Sequence, residues 1–412
     1  MRFLFITLGS TGDVLPLLNL SRELHRRGHH CTLSTQDAFQ SLASGYPVQW
    51  APLFHSPPLN DLPAMMLEIY KRKRGSEVVD YFYHLLFQEL AARREELLSR
   101  IDEADLVVAS YLFPFFALIA RARGVPARTV SFSHRFFPSR NHHPLFETRR
   151  RLPLNRASWK FFFWYINRKM RAHLRRAGML DLLPPSYELR DEYVAHTHLV
   201  VPTCFRDNLL QPDEPCNFVG SLVQTGAGES LPPDLEDFLS GEPVPLLNFG
   251  SVTFPGADDL MRDFLRHWPS SRKILIQSGW AGLTHKDPPE NVRIIGHTPH
   301  RDLLPRISTL IHHGGAGTTA AALHAGVPQI IVPHIADQWF LAGEIERLGV
   351  GRRLPRRIWP RRLPALLQAV ENNSALIRAA KQLAGVLESE NGNRRLSDQL
   401  ESLLDPAPQP PS

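Results

Sequence analysis

The sequence predicts an α/β protein of two domains, each built on a parallel β-sheet covered by helices. Three observations lead to this fold class. The chain has 412 residues, more than one hydrophobic core usually organises. Short apolar runs rich in strand formers alternate with helical patterns. The alternation occurs in two series, and a loop rich in Pro, Gly and acidic residues at 211–245 separates them.

The first series begins at the N-terminus. Residues 2–8 read RFLFITL, a predicted strand, and GSTGD leads into a helix that Gly28 ends before a second strand, CTLS. A similar unit lies at 105–132, where DLVVAS and ARTVSF flank a helix. Strand–helix–strand units build doubly wound parallel sheets, so residues 1–215 are interpreted as the N-terminal domain.

The second series supplies the C-terminal domain, residues 216–385. Its predicted strands are PLLNFGS (245–251), KILIQSG (273–279), VRIIGH (292–297), TLIHHGG (309–315) and PQIIVP (328–333). Residues 386–404 are predicted as a C-terminal helix and 405–412 as a disordered tail. Because ligands bind at the carboxyl ends of such strands, we expect the site in a cleft where the two sheets face each other.

Composition excludes several classes of protein. Hydrophobic residues make up 43% and charged residues 21%, as in ordinary globular proteins. The three cysteines are widely spaced, so neither a disulfide scaffold nor a zinc site is expected, and a reducing cytoplasm fits. The apolar run at the N-terminus is too short for a signal peptide, and no run is long enough to span a membrane.

The most informative segment is 311–338, IHHGGAGTTAAALHAGVPQIIVPHIADQ. A predicted strand runs into GGAGTT and then an alanine-rich helix. Glycines let backbone N–H groups approach a ligand, and the helix N-terminus adds unsatisfied donors and a positive dipole end. This arrangement suits a diphosphate, to which His313 can donate a hydrogen bond. A plain tight turn is the alternative, although three glycines in four residues cost conformational entropy.

The pattern HHGGAGTT, AGVP and DQ resembles the donor-binding signature of nucleotide-sugar-dependent glycosyltransferases with the GT-B fold, two Rossmann-like domains facing across a cleft. It is especially similar to the sterol, glycopeptide-antibiotic and rhamnolipid branches, and so is the N-terminal GSTGDVLPLLNLSRELHRRGHHCTL. The resemblance covers residues 1–45 and 245–352. It implies a hexosyltransferase that holds no metal or resident cofactor and uses a UDP- or dTDP-sugar as co-substrate.

The resemblance also implies a donor site in the C-terminal domain, made of Ser251, His297, Thr298, His313, Gly315, Ala316, Gly317, Thr318, Asp337 and Gln338. Residues 313–318 would hold the diphosphate, 337–338 the sugar hydroxyls and 297–300 the nucleobase, while Ser251 would reach the phosphates or the sugar. Asp337 as the N-cap of the next helix is an alternative. Plant members carry Trp and Gln at His297 and His300 and a ribose-binding Glu at Ala321, so the choice between UDP and dTDP stays open.

The N-terminal turn carries the candidate general base. The resemblance implies that Asp13 accepts the proton of the acceptor hydroxyl, and helix capping is its alternative role. The cleft loop around it consists of Ser10, Thr11 and Gly12. His134, after ARTVSF, is the next candidate on the acceptor side. We therefore expect an inverting displacement, with the leaving diphosphate stabilised by a helix N-terminus and His313. The sequence has no DxD motif, which agrees with metal independence.

Basic residues concentrate in one block. Between Arg121 and Arg176 stand fifteen Lys/Arg and one acid, Glu147, whereas the rest of the chain is net negative. In this block the helix 156–176 carries an apolar stripe from Trp159 to Leu174. We slightly favour a core-facing stripe; the other interpretation is an interfacial helix on the anionic inner face of a membrane. Nucleic-acid binding is not expected, because aromatic RNP-type strands are missing.

The acceptor is expected to be a lipophilic small molecule such as a sterol, hydroxy-lipid or natural-product aglycone. Residues 55–90 and 111–165 are rich in Phe, Leu, Tyr and Met, and acceptors bind the N-terminal domain in this superfamily. Two other functions stay open: a nucleotide-sugar epimerase on the same architecture, and a non-catalytic glycosyltransferase-like partner protein. The joint presence of Asp13, His313 and Gln338 argues against the second.

Overall fold

The structure is a computed structural model. It describes residues 1–72, 75–134, 137–139, 155–209, 216–224, 230–253, 256–280, 283, 286–335 and 337–404. The chain divides into two compact units. The first holds Met1–Met65, Lys71–Leu222 and Asn391–Ser412, and the second holds Met66–Tyr70 and Val223–Glu390. The predicted tail, 405–412, lies outside the described residues, as do residues 140–154 of the basic block.

The first unit is organised by a seven-stranded parallel sheet in the order β3-β2-β1-β4-β5-β6-β7. Its strands are β1 Arg2–Ile6, β2 His30–Ser34, β3 Gln49–Trp50, β4 Leu106–Ser110, β5 Ala127–Ser131, β6 Thr197–Leu199 and β7 Asn217–Phe218. Strand β1 lies between β2 and β4, where Phe3 pairs with Cys31 on one side and Leu106 on the other. Because its residues Phe3–Ile6 are buried, this strand reads as a continuous apolar run.

Helices alternate with these strands, and the one at 233–239 already belongs to the second unit. Those before β8 are α1 Thr11–Arg26, α2 Gln40–Ala43, α3 Pro57–Asn60, α4 Leu62–Lys71, α5 Gly75–Ala92, α6 Arg94–Asp102, α7 Phe115–Ala122, α8 Asn155–Arg176, α9 Leu189–Ala195, α10 Arg206–Leu209 and α11 Pro233–Leu239. Among the helices of the described ranges, none combines the length and the apolar character needed to cross a bilayer.

The second unit has a six-stranded parallel sheet in the order β10-β9-β8-β11-β12-β13. Its strands are β8 Leu246–Asn248, β9 Ile274–Gln277, β10 Val292–Ile295, β11 Leu310–His312, β12 Gln329–Ile331 and β13 Gly351–Arg353. The remaining helices are α12 Ala257–His267, α13 His300–Leu303, α14 Ala316–His324, α15 Gln338–Arg347, α16 Trp359–Glu371, α17 Ser374–Leu387 and α18 Gly392–Glu401. On one face of the sheet, Phe249, Phe264 and Trp359 stack in the core.

Two parallel-sheet α/β units confirm the predicted fold class. The domain limits differ from the predicted ones: the boundary lies after Leu222, and the second unit continues to Glu390. The chain then returns to the first unit, where α18 packs on α1 and Arg27 pairs with Asp398 and Glu401. A sequence pattern shows that a terminal helix exists but not which domain it packs against, and this explains the difference.

Candidate functional site

The turns after β8 and β11 meet at the carboxyl edge of the second sheet. Gly250 adopts a left-handed conformation, with φ of +56°, and a Cβ there would lie 3.1 Å from Cε1 of His313. A larger residue would therefore be strained and would crowd the imidazole. Ser251 follows directly and is half-buried. The structure thus places Ser251 one residue from the contact with His313.

Each glycine of the GGAG turn has a different surrounding. Gly314 has φ of +90°, and a Cβ would lie 2.7 Å from Cγ2 of Ile331. A Cβ on Gly315, the N-cap residue of α14, would overlap Nε2 of His313. Gly317 is exposed, and outside its own helix turn no atom of the described residues lies within 4 Å of the position its Cβ would take. Close packing thus explains the first two glycines, whereas Gly317 leaves open space at the helix N-terminus.

His313 is a buried neutral imidazole. Its side chain is 9% exposed, and Nδ1 has no hydrogen-bond partner among the described residues. Burial, reinforced by His312, His334 and His300, holds its pKa well below the usual value. A neutral imidazole still carries one N–H. His313 is therefore suited to donate a hydrogen bond to an anion beside the half-buried Ala316 and Thr318, but not to act as a cation.

The preceding histidine fixes the shape of the turn. The N–H of Gly314 donates to Nδ1 of His312 over 3.2 Å, so the proton of His312 lies on Nε2. Nε2 then donates to Oε1 of Gln329 over 2.9 Å. Burial lowers the pKa of His312 to about 3, which keeps the ring neutral. His312 and Gln329 thus hold the backbone of the glycine turn in one conformation.

A buried amide network joins the neighbouring loops. Nδ2 of Asn248 donates to Oε1 of Gln277 over 2.6 Å, and Oδ1 of Asn248 accepts the N–H of Gly250 over 2.7 Å. Nε2 of Gln277 in turn donates to the carbonyl of Thr298 over 3.1 Å. Nδ2 of Asn248 also lies 3.3 Å from Nε2 of His300, whose pKa burial lowers to about 4. The network fixes the loop after β10 against the turn after β8.

The predicted nucleobase residues lie on that loop. Thr298 is half-buried, and its carbonyl is held by Gln277. His297 is exposed, so it is accessible to a ligand at this edge. The structure therefore places both residues at the carboxyl edge of the sheet with the glycine turn.

The two residues predicted to bind the sugar stand at the start of α15. Oε1 of Gln338 accepts the N–H groups of His334 and Ile335, over 2.8 and 3.0 Å. The side-chain carbonyl therefore holds the loop after β12, and a sugar contact would have to use Nε2. Asp337 is half-buried at the N-cap position, but its side chain makes no capping hydrogen bond. The capping alternative for Asp337 thus does not describe this helix start.

In the first unit, the GSTGD turn forms a capping box at the start of α1. Oδ2 of Asp13 accepts the N–H and the hydroxyl of Ser10, over 2.8 and 3.0 Å. Oγ of Ser10 accepts the N–H of Gly12 over 3.2 Å. The helix-capping role considered for Asp13 is therefore present, at the third helical position. Its role as a base stays a prediction. Thr11 is the first residue of α1.

A buried glutamine positions this turn. Oε1 of Gln36 accepts the N–H of Gly9 over 2.9 Å, and its Nε2 donates to the carbonyl of Leu59 over 2.8 Å. Gly9 has φ of +147°, and a Cβ there would overlap Oδ2 of Asp13. Gly9 and Gln36 therefore determine where the Asp13 carboxylate lies.

His134 and several aromatic residues of the first unit were predicted to lie on the acceptor side. His134 follows β5, which β4 separates from β1, so about 10 Å of sheet lies between the ends of these strands. Several of the aromatic residues expected to line an acceptor site are instead packed in the core of the first unit, namely Tyr83, Phe87, Phe113 and Phe115. They support the fold, so they do not indicate a binding surface.

Sequence reasoning missed the residues that hold these loops: Gln36, Asn248, Gln277, His312 and Gln329. A signal for some of them was present. Asn248, Gln277 and His312 are polar residues at the carboxyl ends of otherwise apolar central strands, LLN, ILIQ and LIH. A polar side chain buried there needs a hydrogen-bond partner, and nearby loops supply it.

Known proteins resemble the chain over both units. The family model described as "Erythromycin biosynthesis protein CIII-like, C-terminal domain" matches residues 277–403. Vancomycin aglycone glucosyltransferase of Amycolatopsis orientalis is 30% identical, with 85% of each chain covered. Sterol 3-beta-glucosyltransferase of Arabidopsis thaliana is 29% identical over 95% of this chain. The chain spans 66% of that protein and 26% of its Debaryomyces hansenii counterpart.

A solved structure agrees in fold. The glycosyltransferase VinC in complex with dTDP has a TM-score of 0.66 at 18% identity, over 98% of this chain and all of that one. The two parallel sheets, the glycine turn before α14 and the identity to the vancomycin aglycone enzyme lead to one assignment. The chain belongs to the family of nucleotide-sugar-dependent glycosyltransferases with the GT-B fold.

Proposed function

We propose that the protein transfers a hexose from a UDP- or dTDP-sugar to a hydroxyl group of a lipophilic acceptor, with inversion. The observation that best supports this proposal is the arrangement of residues at the end of β11. There the neutral, buried His313 lies beside the N-cap residue Gly315, and Gly317 leaves the N-terminus of α14 open. Aligned backbone N–H groups and one imidazole N–H form a site for an anion without a fixed positive charge.

The donor follows from this anion site. A diphosphate at the N-terminus of α14 would place the nucleobase toward one neighbouring loop and the sugar toward another. His297 and Thr298 lie on the loop after β10, and Asp337 and Gln338 stand after β12, on opposite sides of β11 in the sheet. The dTDP of the VinC complex supports a nucleoside diphosphate as the ligand class.

The acceptor class is inferred from the relatives. Their names specify a sterol and the vancomycin aglycone as acceptors. We further propose that the reaction takes place in the cytoplasm, with peripheral contact to an anionic membrane as a source of lipophilic acceptor.

Inversion would follow from a single displacement. Asp13 accepts the proton of the acceptor hydroxyl, the oxygen attacks the anomeric carbon, and the nucleoside diphosphate leaves from the opposite face. The helix N-terminus and the His313 N–H stabilise the charge that develops on the leaving diphosphate. The proposal assigns no metal ion to this step.

The test begins with donors and ends with products. Thermal shifts with UDP- and dTDP-sugars identify the donor, and acceptors are then offered with the donor that binds. We expect transfer in the presence of a chelator and a product of opposite anomeric configuration by NMR. Conversion of the donor when no acceptor is present would indicate an epimerase. Failure of every nucleotide sugar to bind would refute the proposal.

A further inference from the structure

Helix α8 has two apolar sectors, and only one of them is covered. The stripe predicted from sequence is buried in the first unit: Trp159, Phe162, Phe163, Ile166, Met170 and Leu174. Nε1 of Trp159 donates to the carbonyl of Ser139 over 3.0 Å, which fixes this side of the helix. The core-facing interpretation of the stripe is thus confirmed. The stripe therefore cannot be the surface that meets lipid.

The opposite sector carries aromatic residues that the sequence pattern did not single out. Phe161 is 59% exposed and Trp164 is 56% exposed, and their rings lie 5.6 Å apart. Lys160, Arg168 and Arg175 are exposed on the same sector, at spacings of three, four and seven residues. We call these five residues the outer face of α8. An exposed aromatic pair rimmed by basic residues marks an interaction surface.

The charge of the outer face is not compensated within the described part of the chain. Lys160, Arg168 and Arg175 form no ion pair there, whereas Lys169, at the edge of the helix, is paired with Asp80 over 2.7 Å. The sequence contains no acidic residue between Glu147 and Asp181. The guanidinium of Arg168 lies 5.9 Å from the Trp164 ring centroid, so cation and aromatic residue present one combined surface.

A shallow groove extends this surface along the helix. It is lined by Trp164, Asn167, Arg168, Arg171, Ala172 and Arg175. Three guanidinium groups therefore surround one depression next to an indole. Glu188 lines the neighbouring groove, where Arg171 lies over the Tyr187 ring.

We propose that the outer face of α8 docks on the surface of an anionic lipid bilayer, with Phe161 and Trp164 entering the interface and Lys160, Arg168 and Arg175 binding lipid phosphates. Trp and Phe partition to the boundary between headgroups and acyl chains, and nearby basic side chains add attraction to anionic lipid. The proposed function gives the docking a use, which is access to lipophilic acceptors. The binding itself requires neither donor nor acceptor.

Charge favours this occupant over a second copy of the chain. A two-fold contact would bring the same surface patch of both copies together, so two patches carrying Arg168 and Arg175 would face each other. Like charges across an interface disfavour association. An anionic bilayer complements the charge and also accepts the two aromatic side chains.

The test is flotation of the full chain with phosphatidylcholine vesicles, with and without phosphatidylglycerol. We expect binding only to the anionic vesicles, weakening as added salt shortens the Debye length from about 30 Å to about 8 Å. Neutralising Arg168 and Arg175 to Gln should lower the partition coefficient about 25-fold, at roughly fivefold for each cation. Changing Phe161 and Trp164 to Ser should lower it at least about tenfold.

Matched controls come from α17, on the second unit. Arg378→Gln removes an exposed cation and Val386→Ser an apolar side chain that is 69% exposed, so both should bind as wild type. Trp164→Phe should keep binding but reduce the quenching of tryptophan fluorescence by brominated lipid. That variant identifies Trp164 as the inserted indole without removing the aromatic character.

Several results would overturn the inference. One is that the protein fails to bind anionic vesicles at low salt, or binds neutral vesicles equally well. Another is that the variant with Ser at Phe161 and Trp164 binds as tightly as wild type. Binding of a single-stranded oligonucleotide in place of vesicles, or a dimer that the same variant abolishes, would assign the surface to another partner. Because no turnover is measured, absence of glycosyl transfer would leave this result unaffected.

Discussion

Gly315→Ala tests the anion site most directly, because the structure locates the added methyl group against one side chain. The backbone at Gly315 has φ of −65° and ψ of 143°, which alanine adopts without strain. The methyl carbon would overlap Nε2 of His313 and lie 3.0 Å from its Cε1. The whole effect of the substitution therefore passes through the imidazole.

The magnitude follows from the displacement. To restore ordinary contact the ring must move by roughly 1 Å, which lengthens a hydrogen bond of about 2.9 Å beyond the range of bonding. A hydrogen bond to a charged group contributes about 1.5–3 kcal/mol, so affinity for UDP or dTDP should fall about 10- to 150-fold. Overpacking should also lower the free energy of unfolding by about 1–3 kcal/mol.

Calorimetric titration of UDP and dTDP, with urea unfolding in parallel, measures both effects. The double variant His313→Ala/Gly315→Ala gives the methyl group room, so it should regain stability but not nucleotide affinity. Gly317→Ala is the matched comparison for stability in the same turn. Outside its own helix turn, its methyl would meet no atom of the described residues within 4 Å, so it should stabilise the helix by up to about 1 kcal/mol. It should also lower nucleotide affinity, because the proposed diphosphate occupies that space. Unchanged affinity in Gly315→Ala would refute the diphosphate assignment.

The other predictions concern single side chains. Gln338→Glu keeps an oxygen that accepts the loop N–H groups but lacks the Nε2 donor. If Nε2 contacts the sugar, turnover should fall about 2- to 10-fold in both Gln338→Glu and Gln338→Ala. A loss of turnover in Gln338→Ala alone would leave Gln338 only the role of holding the loop. Asp13→Asn should lower turnover about 10²- to 10⁴-fold with donor affinity kept, whereas Asn373→Ala, which removes the cap of α17, should affect stability alone. The pKa of His312 is about 3 in the folded protein, below its unfolded value of about 6.5. The contribution of the neutral ring to the free energy of unfolding is therefore complete above about pH 6.5. It falls by up to about 1.4 kcal/mol per pH unit as the pH drops toward 3. Urea unfolding at several pH values should show a slope that His312→Asn flattens and that the exposed His25→Gln does not change.

The sequence predicted the fold because strands in parallel sheets are buried on both faces and read as apolar runs. The predicted strands were longer than the observed ones, since runs such as PLLNFGS and TLIHHGG include the turns that follow β8 and β11. Strands β3 and β7 are only two residues long, too short for any periodicity to reveal.

The candidate site was partly predictable for a related reason. Glycines and a histidine after a strand indicate a turn with a special backbone, and the structure does place Gly315 and His313 in contact. What the sequence cannot give is which glycine meets protein atoms and which faces open space. That distinction depends on Ile331 and Gln338, residues brought near Gly314 by the next strand and helix. The outer face of α8 was missed because its aromatic residues lie opposite the stronger apolar stripe.

The two roles considered for Asp13 need not compete. The capping bonds from Ser10 both reach Oδ2 of Asp13. Those bonds fix the rotamer of the side chain, and Gln36 fixes the turn from which it projects. A general base must be held within hydrogen-bond reach of the proton it accepts. A capped carboxylate is better positioned than a mobile one, so the capping box is the expected support of a base at this position. The Asn variant separates the roles, because its amide oxygen still accepts the N–H of Ser10 but cannot take up a proton from the acceptor.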